Sequence, residues 1–527
     1  MAALLFALVG LALQWWRLQV LTASYDQGIY LQVLWNGLRG HAFESTLSSQ
    51  LSTNVIHAGE PPALGYHRLG QHFTPLLALW IPLVGLLGIW ALPLVHVGLI
   101  TAAGLVLHRL ARRHLEPVPA ALIALSFYGA HAVLGPTWGN FTDLCQLPLL
   151  VFLLLLALER RSWLLFTALG VVIPMVREDT GVVLAGIGLW LGIRQPRRWP
   201  LAAGLMIFGL GWVLLVTTTL MPLFSEDNAR RFMVENFGQY LGEKQKASSV
   251  QVLGHALSQP LLLVRELVSP PGETLRYLFN QGLPLMFIPL IAFDSWLLMG
   301  LPMLGLLLAQ GSNNPLSVDI RYSYLVVPGL FAGTILWWRG HPGLIAASRL
   351  RAFWRGCLIL SLLLTLSSNP NRSLSFLIPD SFSPWVYASP ARQWGHGRYA
   401  REALAVIPEG ATVSANTPLI PQLARREVLV RFPGSIEYLD RDRSQRQVEW
   451  IAMDLNWMSR YAAAFRKERV ELEASLLRLD DLEGDYGVRR VADGVVILQK
   501  GCPDDPQARA GLDRLRKGLV RDGAAPS

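Results

Sequence analysis

Carboxylates and arginines alternate along this chain in a pattern that would gather the acids into one site at a membrane surface, as in a membrane enzyme. Asp26, Asp143 and the run Arg177-Glu178-Asp179 each fall in a gap between apolar stretches, while Arg109/Arg112/Arg113, Glu159-Arg160-Arg161 and Arg194/Arg197/Arg198 occupy the alternate gaps. Basic loops face the cytoplasm, so the acids would share the opposite face. Asp26 lies in Tyr25-Asp26-Gln27-Gly28, directly after the first apolar span. A carboxylate at a membrane helix end is partly desolvated, the setting in which it takes a proton from a hydroxyl; the plainer reading is a helix-terminal or capping aspartate. Three ionisable residues in a row between apolar runs, at 177 to 179, suggest a functional turn rather than a solvated connector. Asp143 belongs to the same face. Arg321, beside Asp319, Tyr322 and Tyr324, suits a bidentate grip on a phosphate or an interfacial anchor. His67 and His72, with Asp26, offer imidazole and oxygen ligands to a divalent ion, but a five-residue histidine spacing is no metal signature and structural histidines are the simpler account. The expected catalytic set is therefore Asp26, Asp143, Glu178 and Asp179, with Arg177, Arg321, His72 and Tyr25 contacting substrate and no certain cofactor.

The elements that must position these residues are membrane helices. Of 527 residues, 52% are hydrophobic and 16% charged, with 18 Trp and a mean hydropathy of +0.36, which describes a polytopic membrane protein with soluble portions. The net charge of +9 resides largely in short loops between spans, so it orients the protein and does not point to nucleic acid. Cys145, Cys357 and Cys502 are too scattered for a disulfide framework or a thiolate metal site. Residues 1 to 21 lack a basic leader and carry Trp15, Trp16 and Arg17 as an interfacial flank, so they read as an uncleaved span. Apolar runs predict about eleven transmembrane helices. One further stretch, Phe73 to Trp90, is expected to enter the membrane without crossing: Pro75, Pro82 and Pro93 interrupt it, and only then do all the basic clusters stay inside. The N-terminus is then cytoplasmic and the C-terminal part extracytoplasmic.

The expected organisation is a membrane domain over residues 1–368, with external loops at about 22–72 and 224–281, a small extracytoplasmic α/β domain over 369–503, and a flexible tail over 504–527. In the α/β part, strands are expected at Ala411 to Ala415, Glu427 to Phe432 and Val448 to Asp454. An amphipathic helix is expected around Ser459 to Leu479, and a hairpin over Tyr486 to Gln499 turning at Asp493-Gly494.

Three segments carry a family resemblance: residues 25–37 (Tyr25-Asp26-Gln27-Gly28-Ile29-Tyr30 through Trp35-Asn36-Gly37), residues 70–75 (Gly70-Gln71-His72-Phe73-Thr74-Pro75), and Arg177-Glu178-Asp179-Thr180-Gly181. They resemble the bacterial DUF2079 predicted membrane proteins, a layout similar to that of the GT-C superfamily of glycosyltransferases. The resemblance implies a GT-C-like fold in a bacterial inner or plasma membrane, with Asp26 matching the first-loop acid and Asp143, Glu178 and Asp179 matching later ones. The first loop here carries a lone Asp where that superfamily often has paired acids, a departure that weakens the case for a metal-assisted mechanism and leaves a divalent metal ion as an open cofactor.

The same resemblance implies inverting sugar transfer to an extracytoplasmic acceptor. Its donor is expected to be a polyprenyl phosphate, with membrane lipid as the other partner. Asp26 would take the acceptor proton, and Arg177 or Arg321 would stabilise the departing lipid phosphate. No P-loop appears, which suits a lipid donor. A transporter or flippase of lipid-linked material and a noncatalytic membrane scaffold are the alternatives. A carrier would place ionisable groups at mid-membrane depth, often with inverted repeats.

Overall fold

The computed structural model describes residues 1–225, 237, 254–255, 257–309 and 315–521. The charged positions expected in the second loop between Glu226 and Lys246 lie outside the described residues.

The chain is mostly helical. Its first helix, α1 (Ala2–Gln19), is followed by α2 (Tyr25–Gly37), α3 (Ile81–Leu87), α4 (Ala91–Ala111), the bent pair α5 (Pro117–Gly129) and α6 (His131–Trp138), α7 (Leu147–Glu159) and α8 (Trp163–Val172). Next come α9 (Gly181–Arg194), α10 (Trp199–Leu215), α11 (Phe293–Leu308), α12 (Val327–Gly340) and α13 (Ser348–Ser368). Four helical stretches among the described residues are long and apolar enough to cross a membrane, or five if α5 and α6 count as one broken span. The other apolar runs form shorter helices; Pro174 ends the α8 run, while α11 continues through Pro302. The apolar helical stretch Pro75–Ala111 has 37 residues, about 55 Å of rise against a hydrocarbon thickness of about 30 Å. It is interrupted at Gly88, whose φ of 56° and ψ of −132° are not helical. The 21 residues of α4 alone suffice for one crossing.

Two compact units divide the chain. The first comprises Met1–Ala12, Leu69–Leu79 and Pro93–Asn371, the second Leu13–Arg68, Trp80–Leu92 and Arg372–Ser527. In the first, helices approach through small residues. A Cβ on Gly181 would strike the carbonyl oxygen of Gly209, and one on Gly209 the carbonyl of Gly181, so α9 and α10 meet backbone to backbone. On its other side α9 meets α11, where a Cβ on Gly186 would lie 2.7 Å from the Leu298 carbonyl oxygen.

The second unit is built on a five-stranded sheet. Its C-terminal helices are α14 (Pro390–Leu404), α15 (Ile420–Leu423), α16 (Leu455–Ala462), α17 (Arg466–Asp481) and α18 (Pro506–Arg521). The sheet strands are β1 (Val413–Ala415), β2 (Leu429–Arg431), β5 (Trp450–Asp454), β6 (Tyr486–Ala492) and β7 (Val495–Lys500), with a separate ribbon of β3 (Glu437–Leu439) and β4 (Gln445–Gln447). The order is β2-β1-β5-β7-β6; β1 lies parallel to β2 and β5, and β7 runs antiparallel to β5 and β6. The β6–β7 hairpin turns at Asp493 and Gly494, both at positive φ (45° and 83°) as a tight two-residue turn requires. The core is Val430, Phe432, Ile451, Met453, Leu498 and their neighbours.

The structure departs from expectation at two helices. The helix expected over Ser459 to Leu479 is a pair: the Asp454 carboxylate caps α16 by accepting from the Trp457 N–H at 2.8 Å, and the chain breaks at Phe465 before α17. The tail expected from 504 is helix α18 for most of its length, because Ala508, Leu512 and Leu519 line one face and bury against the core of the unit. The first loop, residues 22–68, belongs to this unit too. Gln32 donates to Thr46 Oγ1 (3.0 Å) and the Arg426 carbonyl (3.1 Å), and Thr46 hydrogen-bonds the Leu429 carbonyl at 2.7 Å.

Candidate functional site

In the first unit, the break between α8 and α9 gathers the ionisable residues. Pro174 stops the helical run. Thr180 Oγ1 then ties the turn, 2.7 Å and 2.8 Å from the carbonyl oxygens of Ile173 and Arg177. Because Gly181 lets α9 lie directly on α10, the triplet before it is held inside the unit: Arg177 and Glu178 are only 2% and 6% exposed.

A buried carboxylate needs donors. Glu178 has them in His72, whose Nδ1 lies 2.9 Å from Oε1, and in the Phe73 N–H, which donates to Oε2 at 2.9 Å. Burial still pushes the Glu178 carboxyl above the ordinary carboxylate range, against the opposing pull of Arg177 and the backbone donors. Arg177 loses solvation too, yet Asp179 more than offsets this and raises its affinity for the proton, so the guanidinium is a fixed cation. Asp179 takes it bidentately, with Nε donating to Oδ1 at 2.9 Å and Nη2 to Oδ2. Asp143, 1% exposed, accepts from the Leu144 N–H at 2.8 Å, and its charge acts on both Arg177 and Glu178.

Arg177 and Arg321 come to the same ring. Their guanidinium carbons lie 5.3 Å and 5.2 Å from the centroid of Tyr322, a cation–π arrangement that holds two positive forks by one aromatic. The structure thus brings together Arg177, Glu178, Asp179, Asp143, His72 and, through Tyr322, Arg321. Nearby in the chain, His131 pairs with Asp319, and Asn371 Nδ2 donates to the carbonyls of Gly135 (2.9 Å) and Asp319 (2.8 Å). These pairings join positions far apart in sequence, and only the polar residues inside apolar runs hint at them.

Tyr25, Asp26 and His67 belong to the second unit. Ser24 is the N-cap of α2, so Asp26 is not a cap; it is half-buried in the first turn, where the helix dipole favours a carboxylate. The Tyr25 hydroxyl donates to the Leu47 carbonyl at 2.6 Å, and its ring carries Arg431 at 5.1 Å. Arg431 ends β2, the carboxyl edge of the parallel strands where ligands of such sheets bind. Burial pushes the neighbouring Glu471 carboxyl upward against Arg431 and Lys467. Neither Arg431 nor Glu471 is legible in the sequence, since a charged residue at a strand end looks like any solvated one. Burial lowers the proton affinity of His67, opposed by Glu44. Among the described residues no group of three or more His, Cys, Asp or Glu side chains is placed to hold a metal ion. Of the possible Asp26, His67, His72 metal set, Asp26 and His67 belong to the second unit and His72 to the first.

The family described as "Predicted membrane protein (DUF2079)" matches residues 17–497. Among curated proteins none matches. Solved structures of similar layout include ArnT from Cupriavidus metallidurans bound to undecaprenyl phosphate, at 14% identity and a TM-score of 0.48, covering 96% of this chain and 99% of that one. Another is the oligosaccharyltransferase of Archaeoglobus fulgidus in complex with zinc and sulfate, at 12% identity and a TM-score of 0.38, covering 95% of this chain and 73% of that one.

Proposed function

We propose that this chain, which belongs to the DUF2079 family of predicted membrane proteins, is a glycosyltransferase that moves a sugar from a polyprenyl phosphate to an acceptor hydroxyl. The observation that carries the reading is the convergence of Arg177 and Arg321 on Tyr322 beside the buried Glu178 carboxyl and its partner His72. Sugar transfer from such a donor breaks the bond between the anomeric carbon and the phosphate oxygen, which keeps the electron pair. The acceptor oxygen attacks the opposite face, so the configuration inverts, and its proton passes to a base. The leaving group is a phosphate monoester of growing negative charge. Two guanidiniums against one ring, Arg177 buried and fixed and Arg321 half-buried, stabilise such a charge, and the effect is larger in the buried setting than in bulk water.

Glu178 and His72 form an acid–base pair: the carboxylate orients the imidazole, and the imidazole can hold or pass a proton. Asp26 keeps the role the resemblance implies, acceptor-side base. We place the reaction on the non-cytoplasmic face of a bacterial plasma membrane, with the N-terminus in the cytoplasm, since polyprenyl-linked sugars are the donors on that side. The external α/β domain would then receive the acceptor.

The test supplies a panel of polyprenyl-phosphate sugars to the purified protein in vesicles and follows release of the free polyprenyl phosphate. Release by the wild type, slowed in Arg321→Gln and Glu178→Gln, is expected. Intact donor crossing the bilayer without bond cleavage would replace this reading with transport.

A further inference from the structure

The second unit holds a cavity of about 380 Å³ that the proposed chemistry does not use. Three elements line it: α2 through Leu31 and Trp35, the segment from α3 to Trp90, and α15 through Pro421 and Gln422 with Arg425 just beyond. The volume is of small-ligand size. Its walls have two characters. On one side the apolar lip is open, with Leu86 80% and Leu87 40% exposed, in the stretch whose sequence reads as entering the bilayer. On the other side stands Arg425, and Arg39, outside the lining, shares the Trp35 ring with it. The guanidinium carbons of Arg39 and Arg425 lie 5.0 Å and 5.8 Å from the centroid of Trp35, and both side chains are exposed.

Neither arginine has a carboxylate partner among the described residues. Arg425 Nη1 lies 3.6 Å from where a Cβ would stand on Gly88, which places the guanidinium over the α3 end of the cavity. Trp35 Nε1 is buried with no acceptor among the described residues, a position that ordinarily demands one. A pocket with an uncompensated cation in its wall, a second on the same tryptophan, an orphan indole N–H and a hydrocarbon lip complements an anionic head group attached to an acyl chain.

We propose that this cavity binds an anionic diacyl phospholipid, its phosphodiester held at Arg425 in the wall, with Arg39 on the same Trp35 ring adding positive charge at the rim, and its chain lying along Leu86, Leu87 and Trp90. The site is separate from the sugar-transfer reading and survives if that reading fails, because it is measured by lipid retention and not by turnover.

Native mass spectrometry of the full chain, delipidated and then given either phosphatidylglycerol or phosphatidylcholine, tests it. The wild type retains phosphatidylglycerol in preference to phosphatidylcholine. The double variant Arg39→Gln/Arg425→Gln loses that preference by about tenfold or more, as expected when two basic groups, each worth about 1 kcal/mol near an anionic lipid, are removed. Arg39→Lys/Arg425→Lys keeps much of it, and the distant exposed Arg514→Gln is indistinguishable from wild type. Equal retention of the two lipids by the wild type, or undiminished phosphatidylglycerol binding by the Gln pair, would overturn the assignment. So would displacement of phosphatidylglycerol by an equal amount of polyprenyl phosphate. Loss in both the Lys and the Gln pairs, with melting temperature unchanged, also counts against a charge-based site.

Discussion

Glu178 is buried beside a fixed cation and an imidazole, so removing its charge changes chemistry more than packing. Glu178→Gln keeps the shape and the acceptor for the Phe73 N–H but no longer orients His72 as a carboxylate does; donor turnover should fall by about 10²-fold or more with the melting temperature nearly unchanged. Unaltered turnover would take Glu178 and His72 out of the reaction. Arg177-Glu178-Asp179 is visible in the sequence because charge is costly between apolar runs. Its partner is not, since His72 lies 106 residues away and nothing local to either residue encodes the pairing. A second histidine makes a pH prediction. His396 is bonded through Nε2 to Asp454 and through Nδ1 to Asp493, each at 2.8 Å. Burial disfavours its charge, but the two carboxylates prevail and raise it from 6.5 to about 9. The folded state therefore holds this proton more tightly than the unfolded chain. Its contribution is complete below pH 6.5 and disappears as the pH rises through about 9. Thermal melts across that window should show the second unit weakening towards alkaline pH, and His396→Gln should flatten the slope; an unchanged slope would assign it to other groups.

Among the elements, α9 has the least freedom. Its Gly181 touches the α10 backbone at Gly209, so any side chain there must push the helices apart. Gly181→Val should cost roughly 1–3 kcal/mol by overpacking and should also shift the adjoining triplet, lowering turnover more than the melting temperature alone accounts for. Gly211, with nothing within 4 Å of its added Cβ, is the control position and should accept Ala. Elements with strong periodicity are legible in the sequence: the β6–β7 hairpin follows from alternation around Asp493-Gly494, and β5 from its run of apolar residues. Element ends are less so, because capping decides them. Asp454 starts α16 earlier than hydrophobic spacing suggests. Helix α18 escapes a reading by composition because it is polar on most of its surface and shows its purpose only through Leu512 and Leu519; Leu512→Ala should destabilise the second unit by about 2–5 kcal/mol.

At the scale of the molecule, sidedness depends on the stretch before α4. With native cysteines replaced, single cysteines at His57 and Glu116 should be labelled from opposite faces of sealed vesicles if Phe73 to Trp90 enters without crossing. Labelling from the same face would mean it traverses. What no reading of the chain in order could anticipate is how residues 13–68 are shared out. Gln32 and Thr46 hydrogen-bond partners near position 427, roughly 380 to 395 residues on, and Ile420 occupies the space left by the missing Cβ of Gly28. The α/β unit is thus assembled from both ends of the polypeptide. During synthesis its N-terminal strip leaves the ribosome first and must wait, its backbone ligands still unmade, while every intervening helix is inserted. Expressing residues 372–527 alone would yield a sheet whose β2 edge lacks its cover, and supplying residues 13–68 as a separate peptide should restore solubility to that fragment.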